Sequence, residues 1–310
     1  MKRKPILAGM LSLLAPGVGQ VYCGRLKRGL IFMALVLATL PVTFLLFTAV
    51  SPPTTLALWM TIGTYLAIRL IPLLDAMWVA QRIRHDYPPK EYNRVTVYIL
   101  LWLIFTGSSL GYALHARSQH MEAFRVPSAS MYPTIIPNDR LVANKVVYKQ
   151  TDPQPGDLVV YIPLEHRHQK WIVRVIALAG DTVEIKEGRV LINDQPLARK
   201  ALPNRILAAI PAHHMGGPLT GQPIDGQVYD ETNGPSTYTT IYTRKEAATA
   251  GDFPKTTVPP HHCFVLGDNR DNSLDSRHHG PIPLATIIGR VDYLYCPAQD
   301  WSRFGPLSAE

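Results

Sequence analysis

The 310 residues suffice for one or two domains with cores of their own, but hydrophobic residues make up 47% and charged residues only 17%, below the norm for a soluble protein. The formal charge of +8 comes largely from Lys and Arg at the edges of apolar segments. Membrane topology explains that excess better than nucleic acid, for which no binding motif is present, and Cys23, Cys263 and Cys296 have no metal-ligand spacing.

In chain order, Lys2, Arg3 and Lys4 precede an apolar run over residues 6–22 that resembles the start of a signal peptide, but no small-x-small cleavage site follows. The run is broken by Pro16-Gly17-Val18-Gly19. The pattern Pro-Gly-x-Gly-Gln-x-Tyr-x-Gly over residues 16–24 resembles the short hairpin of TM2-like bacterial membrane proteins, with a plain first transmembrane helix as the competing reading. Three spans are predicted at about residues 30–50, 55–80 and 95–116. The second carries Arg69, Pro72 and Asp75. Ionisable groups at membrane depth flag function, but the favoured expectation is that the span ends near Ile68 and Arg69 reaches back to the headgroups. Arg25, Lys27 and Arg28 precede the first span, and Arg82, Arg84, Lys90 and Arg94 separate the second from the third. The 51–54 loop has no charge. The positive-inside rule therefore puts both basic loops in the cytoplasm and everything after Arg117 on the outer face of the bilayer.

Residues 118–310 read as an outer domain of short strands and turns, with residues 1–117 as the membrane anchor. β-rich runs are expected at residues 140–147, 157–162, 171–178, 258–266 and 287–294, with a hairpin over 188–197 turning at Asn193-Asp194. Residues 198–262 lack clear patterning and are expected to form an irregular inserted subdomain with a few strands. No stretch of the outer domain has periodicity for a four-turn helix. Cys263 and Cys296 share this domain, and their pairing is left open by spacing.

Four stretches of this domain carry the functional signal. They are Pro127-Ser128-Ala129-Ser130-Met131-Tyr132-Pro133-Thr134, Gly156-Asp157-Leu158-Val159-Val160, Arg174-Val175-Ile176-Ala177-Leu178-Ala179-Gly180-Asp181, and the long run from Gly267-Asp268-Asn269-Arg270 through Asp271-Asn272-Ser273-Leu274-Asp275-Ser276-Arg277. In this order they resemble the bacterial type I signal peptidases, serine peptidases with a Ser/Lys dyad. The similarity covers about residues 124–297. It implies a mostly-β catalytic domain at the inner membrane of a bacterium, on its outer face; the family usually has one or two anchoring helices, so the α-helical membrane region of a hairpin plus three spans read above is an elaboration. The partners implied are the lipid bilayer and exported preproteins with small residues at positions −1 and −3; no cofactor, metal or nucleic acid is implied. Ser130 matches the nucleophile and Ser128 the hydroxyl that joins the Ser130 N–H in the oxyanion hole. Ser273 matches the hydroxyl that orients the base, and Asp275 with Arg277 a structural ion pair. Val126 and Ile172 match side chains lining the −1 and −3 pockets. Acyl transfer needs this division of labour: one hydroxyl aimed at the scissile carbonyl and donors where negative charge develops.

One position departs from the pattern. The family's general base is a lysine immediately before the arginine matched by Arg174, and that position holds Val173. A serine hydroxyl is a weak nucleophile without a group to take its proton. Lys170, His278 and His279 are the candidate substitutes. Lys170 is three residues away, which on a regular strand is the opposite face. Lys145 matches a non-catalytic lysine. The adjacent pairs His213-His214, His261-His262 and His278-His279 point in different directions on a strand, without carboxylate spacing for a metal. Two readings follow: an active membrane endopeptidase with a displaced base, or a pseudo-peptidase that binds signal-peptide-like segments without cutting them.

Overall fold

Apolar runs without strand-like alternation become helices through the first third of the chain. The computed structural model describes residues 3–49, 55–83, 87–149, 151–203, 226–242 and 252–307; Arg84, His213, His214 and the 51–54 connection fall outside them. Helices α1 (Pro5–Leu14) and α2 (Val18–Tyr22) form a short hairpin, followed by α3 (Leu26–Ala49), α4 (Thr55–Arg82) and α5 (Val95–Gln119). Among the described residues, Ile62–Arg82 and Val95–Gln119 are long and apolar enough to cross a bilayer. These helices belong to a compact unit, Met1–Ser118, and Gln119–Glu310 forms a second.

Two features of the helical unit answer questions raised by its sequence. The turn between α1 and α2 has Gly17 at φ 96°, and a Cβ there would lie 2.0 Å from the Gly29 carbonyl oxygen. The glycines thus let the turn press against the first turn of α3. Helix α4 does not end near Ile68 but runs on through Arg69, Pro72 and Asp75. Most of its polar groups find partners inside the unit, although Arg69 Nε is buried without one among the described residues. Buried Gln20 donates to the Pro72 carbonyl at 2.7 Å and to Asp75 Oδ2 at 2.9 Å, and Arg28 pairs with Asp75. Arg69 donates to the Tyr65 hydroxyl at 2.8 Å and lies over the rings of Tyr65 and Phe105. Such partners remove most of the desolvation cost that would otherwise push these groups to the headgroups.

In the second unit, strands follow in the order β1 (Met121–Arg125), β2 (Arg140–Asn144), β3 (Leu158–Tyr161), β4 (Trp171–Leu178), β5 (Thr182–Lys186), β6 (Arg189–Ile192) and β7 (Gln195–Pro196). They continue with β8 (Ala198–Leu202), β9 (Gln227–Asn233), β10 (Ser236–Tyr242), β11 (Phe253–Thr257) and β12 (His262–Leu266). A one-turn helix, α6 (Ser276–His279), precedes β13 (Ile282–Pro283), β14 (Ile287–Cys296) and β15 (Gly305–Pro306). The main sheet runs β1-β2-β14-β3-β4-β12-β13, with β15 added to β14. Strand β3 sits inside it, and all four of its residues are buried. Leu158 and Val160 join a core with Met131, Leu141 and Leu294, whereas Val159 and Tyr161 join another with Val173, Val175 and Val265. This is the two-residue alternation of a strand covered on both faces.

The stretch expected to be irregular with a few strands arranges its strands in sheets. Strands β8, β9 and β10 form a three-stranded antiparallel sheet, and β11 completes a four-stranded sheet in the order β11-β5-β6-β7. The β6–β7 turn at Asn193 and Asp194 has both residues at positive φ, as a two-residue hairpin turn of this hand requires. The alternation was hidden in β9 because two of its buried positions hold Glu231 and Asn233 rather than apolar residues. Cys263 and Cys296 are both free; burial pushes the Cys263 thiol up to about 12, so it stays protonated and unreactive. Gly17→Ala should destabilise the helical unit by at least about 1 kcal/mol, since it adds a clash to an unfavourable φ. Helical circular dichroism during thermal unfolding in detergent would register this as a lower midpoint.

Candidate active site

The segment after β1 bears two hydroxyls because its neighbours are anchored on either side. Ala129 is buried in one core with Tyr132 and Ile241, and Met131 in another with Val126 and Leu158. Ser128 is left exposed and Ser130 half-buried, with their Oγ atoms 3.2 Å apart. Asn269 fixes the peptide behind them. Its backbone N–H donates to the Ser130 carbonyl at 3.0 Å, and its Nδ2 donates to the Ala129 carbonyl at 3.1 Å.

Asn269 belongs to the loop between β12 and α6, which brings a third hydroxyl to the same place. A Cβ on Gly267 would lie 2.1 Å from Ser273 Oγ and 2.7 Å from the Ser130 carbonyl oxygen. Only a glycine lets Ser273 and the Ser130 peptide approach this closely. Buried Asp275 closes the loop: it accepts the Gly267 N–H at 3.0 Å, and Arg277 grips both its oxygens at 2.9 and 2.8 Å. It also caps α6 by accepting the Arg277 N–H at 3.2 Å.

Ser128, Ser130 and Ser273 face a cleft of about 940 Å³ that Val126, Ile172 and Val173 also line. Val126 and Ile172 both pack on the Met131 core. Every residue given a catalytic or pocket role from sequence is therefore on or next to one cleft: three serines and two aliphatic side chains form its wall, and Asp275–Arg277 stands behind it. A hydroxyl beside a second hydroxyl, in a cleft partly lined by aliphatic side chains, suits acyl transfer at a peptide carbonyl.

Comparison with known proteins identifies a family. The family described as signal peptidase, peptidase S26 matches residues 99–296. The chain belongs to that family. Signal peptidase I of Leptolyngbya laminosa is 32% identical over 207 residues, covering 64% of this chain and 81% of the relative. Signal peptidase I of Aquifex aeolicus is 30% identical over 59% of this chain and 78% of its own. A crystal structure of a signal peptidase I from Enterococcus faecalis aligns at 24% identity and a TM-score of 0.26, across 45% of this chain and 97% of that one. As a signal peptidase family member, the chain is a serine peptidase hydrolase.

Val173 is 2% exposed, pairs with Val159 across β3 and β4, and belongs to the apolar core beneath the cleft. Ser273 Oγ is buried and has no hydrogen-bond partner. Among the described residues, Ser130 Oγ is hydrogen-bonded only to Ser128 Oγ. Lys170 is held elsewhere: its Nζ lies 2.5 Å from Glu122 Oε1 and over the Phe124 ring. Lys145 leans on the same carboxylate at 3.9 Å. His279 packs against Trp171, with ring centroids 5.6 Å apart, and does not line the cleft. His278 does line it, exposed on α6.

Sequence reasoning gave no role to the two ion pairs that hold the loop. Arg174 donates to Asp268 at 2.7 and 2.6 Å, with both side chains at most 3% exposed, and also caps the Gly156 carbonyl at 2.8 Å. Arg270 pairs with Glu231 of β9, and both are buried. Burial opposes the Arg270 charge, but the Glu231 carboxylate outweighs it and holds the guanidinium above its usual pKa. Arg174, Asp268 and Arg270 all lie in the matched motifs; Glu231 lies in none. Gly267→Ala should force Ser273 away from the Ser130 peptide and lower peptidase activity at least about tenfold while the far-ultraviolet spectrum stays unchanged.

Proposed function

We propose that the protein is a membrane-bound endopeptidase that removes signal peptides from exported preproteins, with Ser130 as nucleophile and His278 as a displaced general base. The observation that carries this reading is the convergence of Ser128, Ser130 and Ser273 with Val126 and Ile172 on one open cleft. The apolar helices Ile62–Arg82 and Val95–Gln119 support anchoring in a bilayer. The basic loops before the first span and between the second and third support an outward-facing catalytic domain.

In this mechanism the cleavage region of a preprotein lies extended along the Val126 segment, with its small −1 and −3 side chains against Val126 and Ile172. His278 takes the Ser130 hydroxyl proton as Oγ attacks the −1 carbonyl carbon. Ser128 Oγ–H and the Ser130 N–H donate to the oxyanion. Collapse breaks the C–N bond, the new amine takes the proton from the imidazolium, and an ester remains on Ser130. Water then attacks the ester as His278 accepts its proton, the imidazolium returns that proton to Ser130 Oγ as the ester C–O bond breaks, and the signal peptide leaves as a carboxylic acid that ionises in solution. Holding the cleft at the bilayer replaces a search in three dimensions with a local one. Among the cleft-lining candidates, His278 is favoured over Lys170 because Glu122 engages the lysine ammonium. An imidazole suits the task because it exchanges protons near neutrality.

A second reading, binding without cutting, is favoured by the burial of Val173 in the apolar core. Preprotein cleavage in liposomes separates the two. Wild-type protein should cleave, Ser130→Ala should not, and His278→Ala should be slower by roughly 10²–10⁴-fold, the usual weight of a general base. Val173→Lys should raise the rate above wild type. Equal product from wild type and Ser130→Ala would overturn the nucleophile assignment. Cleavage by Val173→Lys alone, with signal-peptide binding by wild type, would establish the binding-only reading.

A further inference from the structure

The sheet formed by β8, β9 and β10 is joined to the loop that grips the nucleophile, and the join is electrostatic. Glu231 Oε2 lies 2.5 Å from Arg270 Nη2, and the two side chains are 2% and 3% exposed. The Tyr242 hydroxyl accepts from Arg270 Nη1 at 3.0 Å and donates to Glu231 Oε1 at 3.2 Å, which closes a three-membered ring of contacts. Arg270 Nε reaches back to the Gly267 carbonyl at 3.1 Å. The backbone follows the same path: the Ile241 N–H donates to the Asp268 carbonyl at 2.9 Å, and the Arg270 N–H donates to the Ile241 carbonyl at 3.0 Å. Asn269, bracketed by these bonds, is the residue that holds the Ser130 and Ala129 carbonyls.

We infer that Glu231 is a positioning residue for the reaction: through Arg270 it holds Asn269, and through Asn269 it sets the position of the Ser130 peptide. This rests on Ser130 as nucleophile. A buried guanidinium must be paired, because an isolated charge there is strongly disfavoured. Removal of the carboxylate charge drives Arg270 toward water, and Asn269 moves with it by covalent linkage. The Ser130 N–H, which in the proposed mechanism must meet an oxyanion within a few tenths of an ångström, then loses its fixed place. The inserted sheet is by this argument part of the catalytic scaffold. Glu231 and Tyr242 stand outside the cleft, which Arg270 borders, so their influence on the transition state passes through Arg270 and Asn269.

The test uses the full-length protein in liposomes, with Glu231→Gln, the apolar pair Glu231→Met/Arg270→Met, and Ser130→Ala in parallel. Glu231→Gln should lower kcat at least about tenfold with KM within about twofold, as expected when only a transition-state contact is lost. The apolar pair should recover the thermal midpoint, because a buried ion pair is replaceable by apolar groups of similar volume. It should not recover kcat. Amide hydrogen exchange over residues 128–132 and 267–273 reads the same coupling without turnover, and should accelerate there in Glu231→Gln and not in the main sheet. Unchanged exchange in those segments, or an apolar pair that restores kcat together with the midpoint, would overturn the inference. Ser130→Ala cleaving as fast as wild type would instead remove the nucleophile assignment, and the exchange result would still decide whether Glu231 holds this turn.

Discussion

A surface hydroxyl has many rotamers and its backbone many conformations, so a serine becomes an aimed group only when the peptide on both sides is immobilised. Here that constraint is met by the clasp of the 267–277 loop on the 128–131 turn. Ala129 and Met131 are sunk into separate cores, and Asn269 binds the two carbonyls between and after the serines. Each anchor is ordinary packing or an ordinary hydrogen bond, the latter worth about 1 kcal/mol net. Their joint effect is geometric: few backbone conformations satisfy both burials and both carbonyl bonds. The cleft, the apolar pockets and the third serine depend on this clasp, because all of them are defined by where it leaves Ser130.

The loop is in turn held by arginine–carboxylate pairs arranged around it. Arg174–Asp268 ties it to β4, Arg270–Glu231 to β9, and Asp275–Arg277 closes it on itself. Buried pairs of this kind add little net stability over an apolar substitute, since desolvation consumes most of the Coulombic gain. They differ from apolar contacts in being intolerant of displacement: a guanidinium that shifts by an ångström loses a bidentate partner inside a low-dielectric interior. A loop without regular secondary structure, placed next to a reacting group, benefits from that intolerance. Three charged anchors substitute for the hydrogen-bond ladder that a strand or helix would have supplied.

How much of this was readable from the chain varies by element. The serine turn, the Gly267–Arg277 run and the central strands were visible because they carry prolines, glycines and apolar runs in compact local patterns. The strand positions within the insertion were not, because Glu231 and Asn233 occupy buried positions on β9 and erase the alternation that marks a half-buried strand. The partner of Glu231 is 39 residues away and that of Arg174 is 94 away, so neither pair has a local signature. The continuation of α4 past Arg69 was missed for a related reason. Its polar residues are satisfied by Gln20, Arg28 and aromatic rings. A sequence window on α4 alone registers only the cost of those groups.

Position 173 is where the local pattern and the three-dimensional site disagree, and the disagreement has a physical trace. Val173 is well placed by the standards of packing: it is buried, β-branched and on a central strand. On the same cleft, Ser273 Oγ is buried with no partner among the described residues, a state that costs about 1–3 kcal/mol in a folded interior. A cleft arranged only for packing would have an alanine-sized apolar group at 273. The hydroxyl there, pressed against Gly267 and the Ser130 peptide, points to where a hydrogen-bonding group would complete the set. The main-sheet wall of the cleft cannot supply it, because Val173 and Ile172 are aliphatic and Lys170 is committed to Glu122. In the proposed mechanism a proton acceptor for Ser130 therefore has to approach from the solvent side of the cleft, where α6 carries His278.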